Sequence, residues 1–193
     1  MRKIVVAEFI SLDGVMQAPG GADEDTEGGF AQGGWTQPYW HDDIGAHFFE
    51  EITQSDALLL GRKTWQIHGG AFEPMTEGDP FGDVMNTMPK YVVSTSLSTA
   101  AAWRNSTLIK SNVTEEVARL KQQPGRDIAI SGSGTLVQSL LPEGLIDELN
   151  LLIYPVVLGR GKRLFRDGSN LTLKLKQSKT SSSGVLLLTY QRA

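Results

Sequence analysis

The chain has 193 residues, 18 Lys and Arg against 22 Asp and Glu, a net charge of −4 and no cysteine. That weak acidity argues against a protein whose main task is to coat nucleic acid or an anionic membrane. The missing cysteines remove disulfides, a thiolate nucleophile and every cysteine-containing zinc site. No apolar run approaches the ~20 residues needed to span a bilayer. Glu8 interrupts the apolar start Ile4-Val5-Val6-Ala7 too early for a signal peptide. These features predict a cytoplasmic protein with one domain over residues 1–193.

In chain order, residues 4–7 read as a buried strand. Ile44, Phe48, Phe49 and Ile52 make one apolar stripe, so a helix is expected over about 42–55, with Asp42 and Asp43 at its positive end. Strands follow at 57–60, 91–93 and 108–109. Asn112 and Glu115 resemble a capping box that opens a helix over 113–122. A strand at 128–130 precedes a short helix at 135–141, stopped by Pro142. The apolar run 149–154 leads into 156–158. Residues 171–176 alternate, and a turn at 181–184 sends the last strand, 185–191, back beside them. Early βα alternation closed by an antiparallel hairpin predicts an α/β fold with a central mixed sheet. Two Gly- and acid-rich segments, 17–38 and 66–89, read as long loops, the first either a partly mobile active-site lid or a solvated insertion.

Three strand ends carry residues suited to phosphate. In Gly61-Arg62-Lys63-Thr64, glycine permits close backbone approach, a helix start offers amides and Arg62 offers a planar fork; a plain turn is the ordinary alternative. Ser94-Thr95-Ser96 can donate to phosphate or ribose oxygens, or simply cap a turn. Lys110 at the next strand end could complete a pocket for a 2′-phosphate, or be a solvated lysine. Ser131-Gly132-Ser133-Gly134-Thr135 sets small residues between a buried strand and a helix, where a pyrophosphate would meet helix amides. The third glycine of the Rossmann fingerprint is missing, so a dinucleotide site of another design is expected. Three such ends fit one ligand lying across a sheet's carboxyl edge.

The sequence resembles the dihydrofolate reductase superfamily, and most closely the reductase domain of riboflavin biosynthesis and its stand-alone relatives. Ser11-Leu12-Asp13-Gly14-Val15, Gly61-Arg62-Lys63-Thr64-Trp65 and Gly132-Ser133-Gly134-Thr135-Leu136 carry the likeness, and Pro155 to Gly161 followed by Leu164-Phe165 points to the riboflavin-type branch. The resemblance implies a dihydrofolate-reductase-like three-layer domain that binds NADPH. It assigns the pyrophosphate to Gly61, Arg62, Thr64, Gly132, Ser133, Gly134, Thr135 and Leu136. It assigns the adenosine 2′-phosphate to Ser94, Thr95 and Ser96, and the nicotinamide end to Ala7 and Val15. A homodimer is also implied; the apolar runs 149–158 and 185–188 could supply its interface or simply belong to the core. The zinc deaminase attached to bifunctional riboflavin enzymes is excluded, since its metal site needs cysteine.

The nicotinamide supplies hydride, so the protein must position the acceptor and provide a proton. Dihydrofolate reductases place a carboxylate on the helix before the Gly-Arg turn, but ungapped counting puts that position at Gly45. Asp13 is the first candidate acid and Asp43 the second, with a raised pKa expected for either if buried. Their structural alternatives are a turn former and a helix N-terminal charge. His41, His47 and His68 lack metal-ligand spacing, so no metal is expected. Trp35, Tyr39 and Trp40 are packing residues or an aromatic wall for a planar substrate. The expected function is NADPH-dependent reduction of a small planar heterocycle of pyrimidine or pterin type. The alternative is a nucleotide-binding or ligand-sensing module of the same fold without turnover.

Overall fold

The computed structural model describes residues 1–75 and 78–193. Eight strands form one sheet: β1 (Ile4–Ser11), β2 (Ser55–Gly61), β3 (Lys90–Val93), β4 (Ser106–Ile109), β5 (Asp127–Ser131), β6 (Glu148–Tyr154), β7 (Leu173–Thr180) and β8 (Leu186–Arg192). Their order across the sheet is β4-β3-β2-β5-β1-β6-β8-β7. The first six run parallel, and β8 then pairs antiparallel with both β6 and β7. The mixed sheet and its closing hairpin agree with the sequence expectation.

Five helices cover the sheet: α1 (Asp42–Thr53), α2 (Arg62–Phe72), α3 (Pro80–Thr87), α4 (Val113–Gln122) and α5 (Gly134–Leu140). Alternation along β2 shows both faces covered. Ala57 and Leu59 share a buried cluster with Val117 of α4 and Leu136, Val137 and Leu140 of α5. Leu58 and Leu60 pack instead with Ile52 of α1, Trp65 of α2 and Met85 of α3. Such continuously apolar strands suit a parallel sheet buried on both sides. The amino edge is closed by ion pairs, Arg2 with Asp56 and Lys121 with Asp147 (2.6 Å).

Three expectations are corrected. The 66–89 segment is mostly helical, belonging to α2 and α3, while its residues 76 and 77 lie outside the described ones. Asn112 sits before α4 with φ 51° and no side-chain cap bond, so no capping box forms. The 156–158 run forms no strand. Among the described residues, no helix is long and apolar enough to cross a membrane.

Candidate functional site

Because six neighbouring strands run parallel, their carboxyl ends share one edge. Pairing of β2 with β5 ends at Leu58 and Ala129, and that of β1 with β5 ends at Ala7 and Ser131. Beyond those pairs the sheet splits, and a cleft of about 1640 Å³ opens there. Clefts at the carboxyl ends of diverging strands are the usual ligand sites of open α/β sheets.

Two strand-to-helix turns meet in this cleft. The Ser133 hydroxyl accepts from the Gly61 amide at 2.9 Å and ties the end of β2 to the start of α5. Gly132 has φ +72° and lies where a Cβ would come within 3.1 Å of Thr64. At Gly134 a Cβ would stand 2.3 Å from the Met16 sulfur. The two glycines therefore let α5 begin hard against α2 and Met16, with bare backbone facing the cleft. Among the described residues, the first-turn amides of Lys63, Thr64, Gly134 and Thr135 have no hydrogen-bond partner, as expected at helix starts.

The 17–38 segment forms a side wall. It contains two short 3₁₀ turns, Glu27–Gly29 and Gln37–Tyr39. Trp35 Nε1 donates to the Gln17 carbonyl at 2.8 Å, and the Gln17 side chain donates to the carbonyls of Asp25 and Glu27. Lys162 pairs with both Asp25 and Glu27 at 2.6 Å, Lys63 pairs with Glu27, and Arg160 donates to the carbonyls of Gly28 and Gly29. Lys162 and Lys63 together hold the Glu27 carboxyl down to about 2. The segment is thus strapped to α2 and to the chain after β6, and it lines one side of the cleft.

Of the residues the sequence singled out for a cofactor, Ala7, Gly61, Arg62 and Thr64 line the cleft. So does the whole run from Gly132 to Leu136. Arg62 and Ser133, on separate strand ends, share one groove. Val15 is fully buried in the cluster of Phe30 and Tyr154, and its neighbour Met16 lines the cleft. Ser94, Thr95, Ser96 and Lys110 reach the same sheet edge, since the Ser94 amide donates to the Ile109 carbonyl, but they do not line the cleft. The Ser94 hydroxyl accepts from the amides of Ser96 and Leu97, which makes it a turn former.

The two candidate acids, Asp13 and Asp43, lie outside the cleft lining. Asp13 accepts from the Ser11 hydroxyl (2.6 Å) and the amides of Leu158 (3.1 Å) and Gly159 (2.8 Å), and these bonds, Ser11 foremost, pull its carboxyl down to about 2. Asp43 accepts from the Ser182 amide at 2.7 Å, which also holds it low. Neither lines the cleft, and neither has the raised pKa expected of an acid held for catalysis.

The cleft supplies other groups that the sequence reading passed over. Glu8 lies one residue past the last β1–β5 pair, lines the cleft, and is 3% exposed with Oε1 unpartnered among the described residues. Burial raises its pKa to about 8. His68 on α2 keeps an open side to the cleft, but its Nδ1 is enclosed and unpartnered, and burial pushes the ring down to about 4. A run of phenylalanines forms the wall: Phe9 to Phe48 at 5.4 Å, Phe48 to Phe81 at 5.7 Å, and Phe81 to Phe72 at 5.3 Å between centroids. Trp35 and Tyr39 pack edge-on against Tyr154 and act as packing residues. The legible signal for Glu8 was a lone charge inside a strand of apolar residues, which a doubly covered strand does not carry without reason.

Comparison with known proteins agrees with this architecture. A model of the RibD C-terminal domain family matches residues 2–187. The uncharacterized protein YyaP of Bacillus subtilis (strain 168) is 31% identical over 194 residues, covering 98% of this chain and 94% of YyaP. YwjB of the same organism is 30% identical over 191 residues, covering 96% of each. In fold, the chain is similar to a candidate riboflavin biosynthesis protein from Shewanella sp. PV-4, with a TM-score of 0.76, 21% identity and coverage of 100% and 99%. It is also similar to a pyrimidine reductase-like protein from Corynebacterium diphtheriae, with a TM-score of 0.67, 13% identity and coverage of 100% and 92%.

Proposed function

Since the chain belongs to the RibD C-terminal domain family, we propose that its cleft binds NADPH and that the protein reduces a small planar heterocycle of pyrimidine or pterin type. The observation that carries this reading is the convergence of Gly61-Arg62 and Gly132-Ser133-Gly134 on one groove. The donor set fits the cofactor. Open amides on Lys63, Thr64, Gly134 and Thr135 suit the oxygens of a pyrophosphate, and bare glycine backbone allows it to approach. Arg62, whose guanidinium donates among the described residues only to Gln66 Oε1 at 3.0 Å, has donors left for a phosphate.

When bound, the cofactor supplies hydride; the chain must hold the acceptor flat and keep water away. The Phe9–Phe48–Phe81–Phe72 wall does both, giving a planar ring a stacking surface of low polarity. One structural relative is called pyrimidine reductase-like, which is consistent with an acceptor of that shape.

Titration of protein fluorescence with NADPH tests the reading. Saturation is expected with a Kd on the order of micromolar, and Arg62→Ala should weaken it about tenfold or more, as loss of a charge-assisted phosphate contact does, without changing the melting temperature. Absence of saturation up to about 1 mM overturns the proposal. Saturation without NADPH oxidation across pterins, pyrimidines and quinones would make the chain a nucleotide-binding module without turnover.

A further inference from the structure

Glu8 is the one acidic side chain of β1, and the mechanism above leaves it without a task. It stands where β1 has just parted from β5, so that its neighbour on that side is the cleft and no longer a strand. On the other side Leu151 of β6 closes it off. The rest of its face along β1 is Ile4, Val6 and Ile10, all in the apolar core. A carboxyl 3% exposed, with Oε1 enclosed and unpartnered among the described residues, keeps little of its hydration and has no bond to offset the loss. Such a group is stable only as the neutral acid or against an arriving charge.

We propose that Glu8 is the acid of this cleft: its neutral carboxyl gives up the proton that accompanies hydride transfer, and the carboxylate left behind would balance the positive charge of the oxidised cofactor. This rests on the NADPH reading. The balance is simple. The acceptor gains a hydride from the cofactor and a proton from the Glu8 O–H, and Glu8 is recharged from water after product leaves. Hydride transfer turns a neutral nicotinamide positive, and proton transfer turns a neutral carboxyl negative. In a desolvated cleft the two new charges compensate one another, whereas either alone would be costly.

The raised pKa of Glu8, about 8, arises from burial. Other ionisable groups line the same cleft. On α2 they are Arg62, Lys63 and His68. The 17–38 segment brings Asp23, Glu24, Asp25 and Glu27, and the chain after β6 brings Arg160, Lys162, Arg163, Arg166 and Asp167. None of them pairs with Glu8. His68 is already neutral at pH 7, so an arriving positive charge releases no proton from it.

Two measurements on the full chain test this. In protein labelled with [5-¹³C]glutamate, one carboxyl should titrate near pH 8 and be missing from Glu8→Gln; a Glu8 midpoint below about 6 overturns the proposal, since the acid would then be ionised at neutral pH. Calorimetry of NADP⁺ and of NADPH binding at pH 7, each in two buffers of different ionisation enthalpy, gives the protons released. Wild type should release about one proton more with NADP⁺ than with NADPH, by linkage, and Glu8→Gln should show no difference. Both nucleotides share the 2′-phosphate, so its own titration cancels. Binding of both with equal proton release overturns this proposal alone. Binding of neither overturns the NADPH reading and this proposal with it. The comparison of NADP⁺ with NADPH is complete on wild type, so it decides even if Glu8→Gln fails to fold.

Discussion

Asp13 and Glu8 lie five residues apart, and their surroundings drive them in opposite directions. Asp13 spends its oxygens on Ser11, Leu158 and Gly159 and is held at about 2; Glu8 has no such partners and is raised to about 8. Their effects on stability therefore have opposite signs. Asp13 releases its proton more readily folded than unfolded, so its contribution is present above its ordinary value of 3.8 and is lost as pH falls toward 2. Glu8 holds its proton more tightly when folded. Its contribution is full below 4.5 and is lost as pH rises through 8. Urea unfolding of wild type, Asp13→Ala and Glu8→Gln at pH 4, 6 and 8 should separate the two. Asp13→Ala should lose about 1–3 kcal/mol at pH 6, the cost of orphaning the amides of Leu158 and Gly159. Glu8→Gln should match wild type at pH 4 and exceed it by a few kcal/mol at pH 8, on the order of the linkage for a buried acid.

At the scale of elements, the site depends on segments that the helices and strands merely hold apart. Gly161 joins two of them. It has φ +127°, and a Cβ there would stand 2.6 Å from Val15 and 2.9 Å from Phe30, both buried. Gly161→Ala should cost on the order of 3 kcal/mol, from backbone strain together with overpacking. Because Phe30 belongs to the strapped 17–38 segment, faster amide exchange at residues 28–32 should accompany the loss. Most strand positions were readable from the sequence because they are short apolar runs ended by turn residues, and β7 was readable from the alternation over 171–176. Helix α3 was not, because the features taken for a loop are those of a helix start. Asp79 caps it by accepting from the Gly82 amide at 2.7 Å, and Pro80 occupies its first turn. Composition alone does not separate a loop from a capped helix.

For the molecule as a whole, the strand order determines what the sequence could disclose. Gly61 and Ser133 are 72 residues apart in the chain, yet β2 and β5 are neighbours, so two motifs read as separate turns become one groove. Motifs carried by strand ends were legible for that reason. The acid and the phenylalanine wall were not, since they come from the interior of β1 and from three different helices whose relative placement no local pattern encodes. The strap along the side of the cleft has a consequence for the proposed nucleotide. Lys63 and Lys162 are already neutralised by Asp25 and Glu27, and Arg62, Arg160, Arg163 and Arg166 share the cleft lining with Asp23, Glu24 and Asp167. The long-range field that would draw a polyanion from solution is thereby almost cancelled, leaving short-range contacts to set the affinity. Raising sodium chloride from 50 to 300 mM should then change the NADPH dissociation constant by no more than about threefold, whereas an open row of cations would be screened much more steeply.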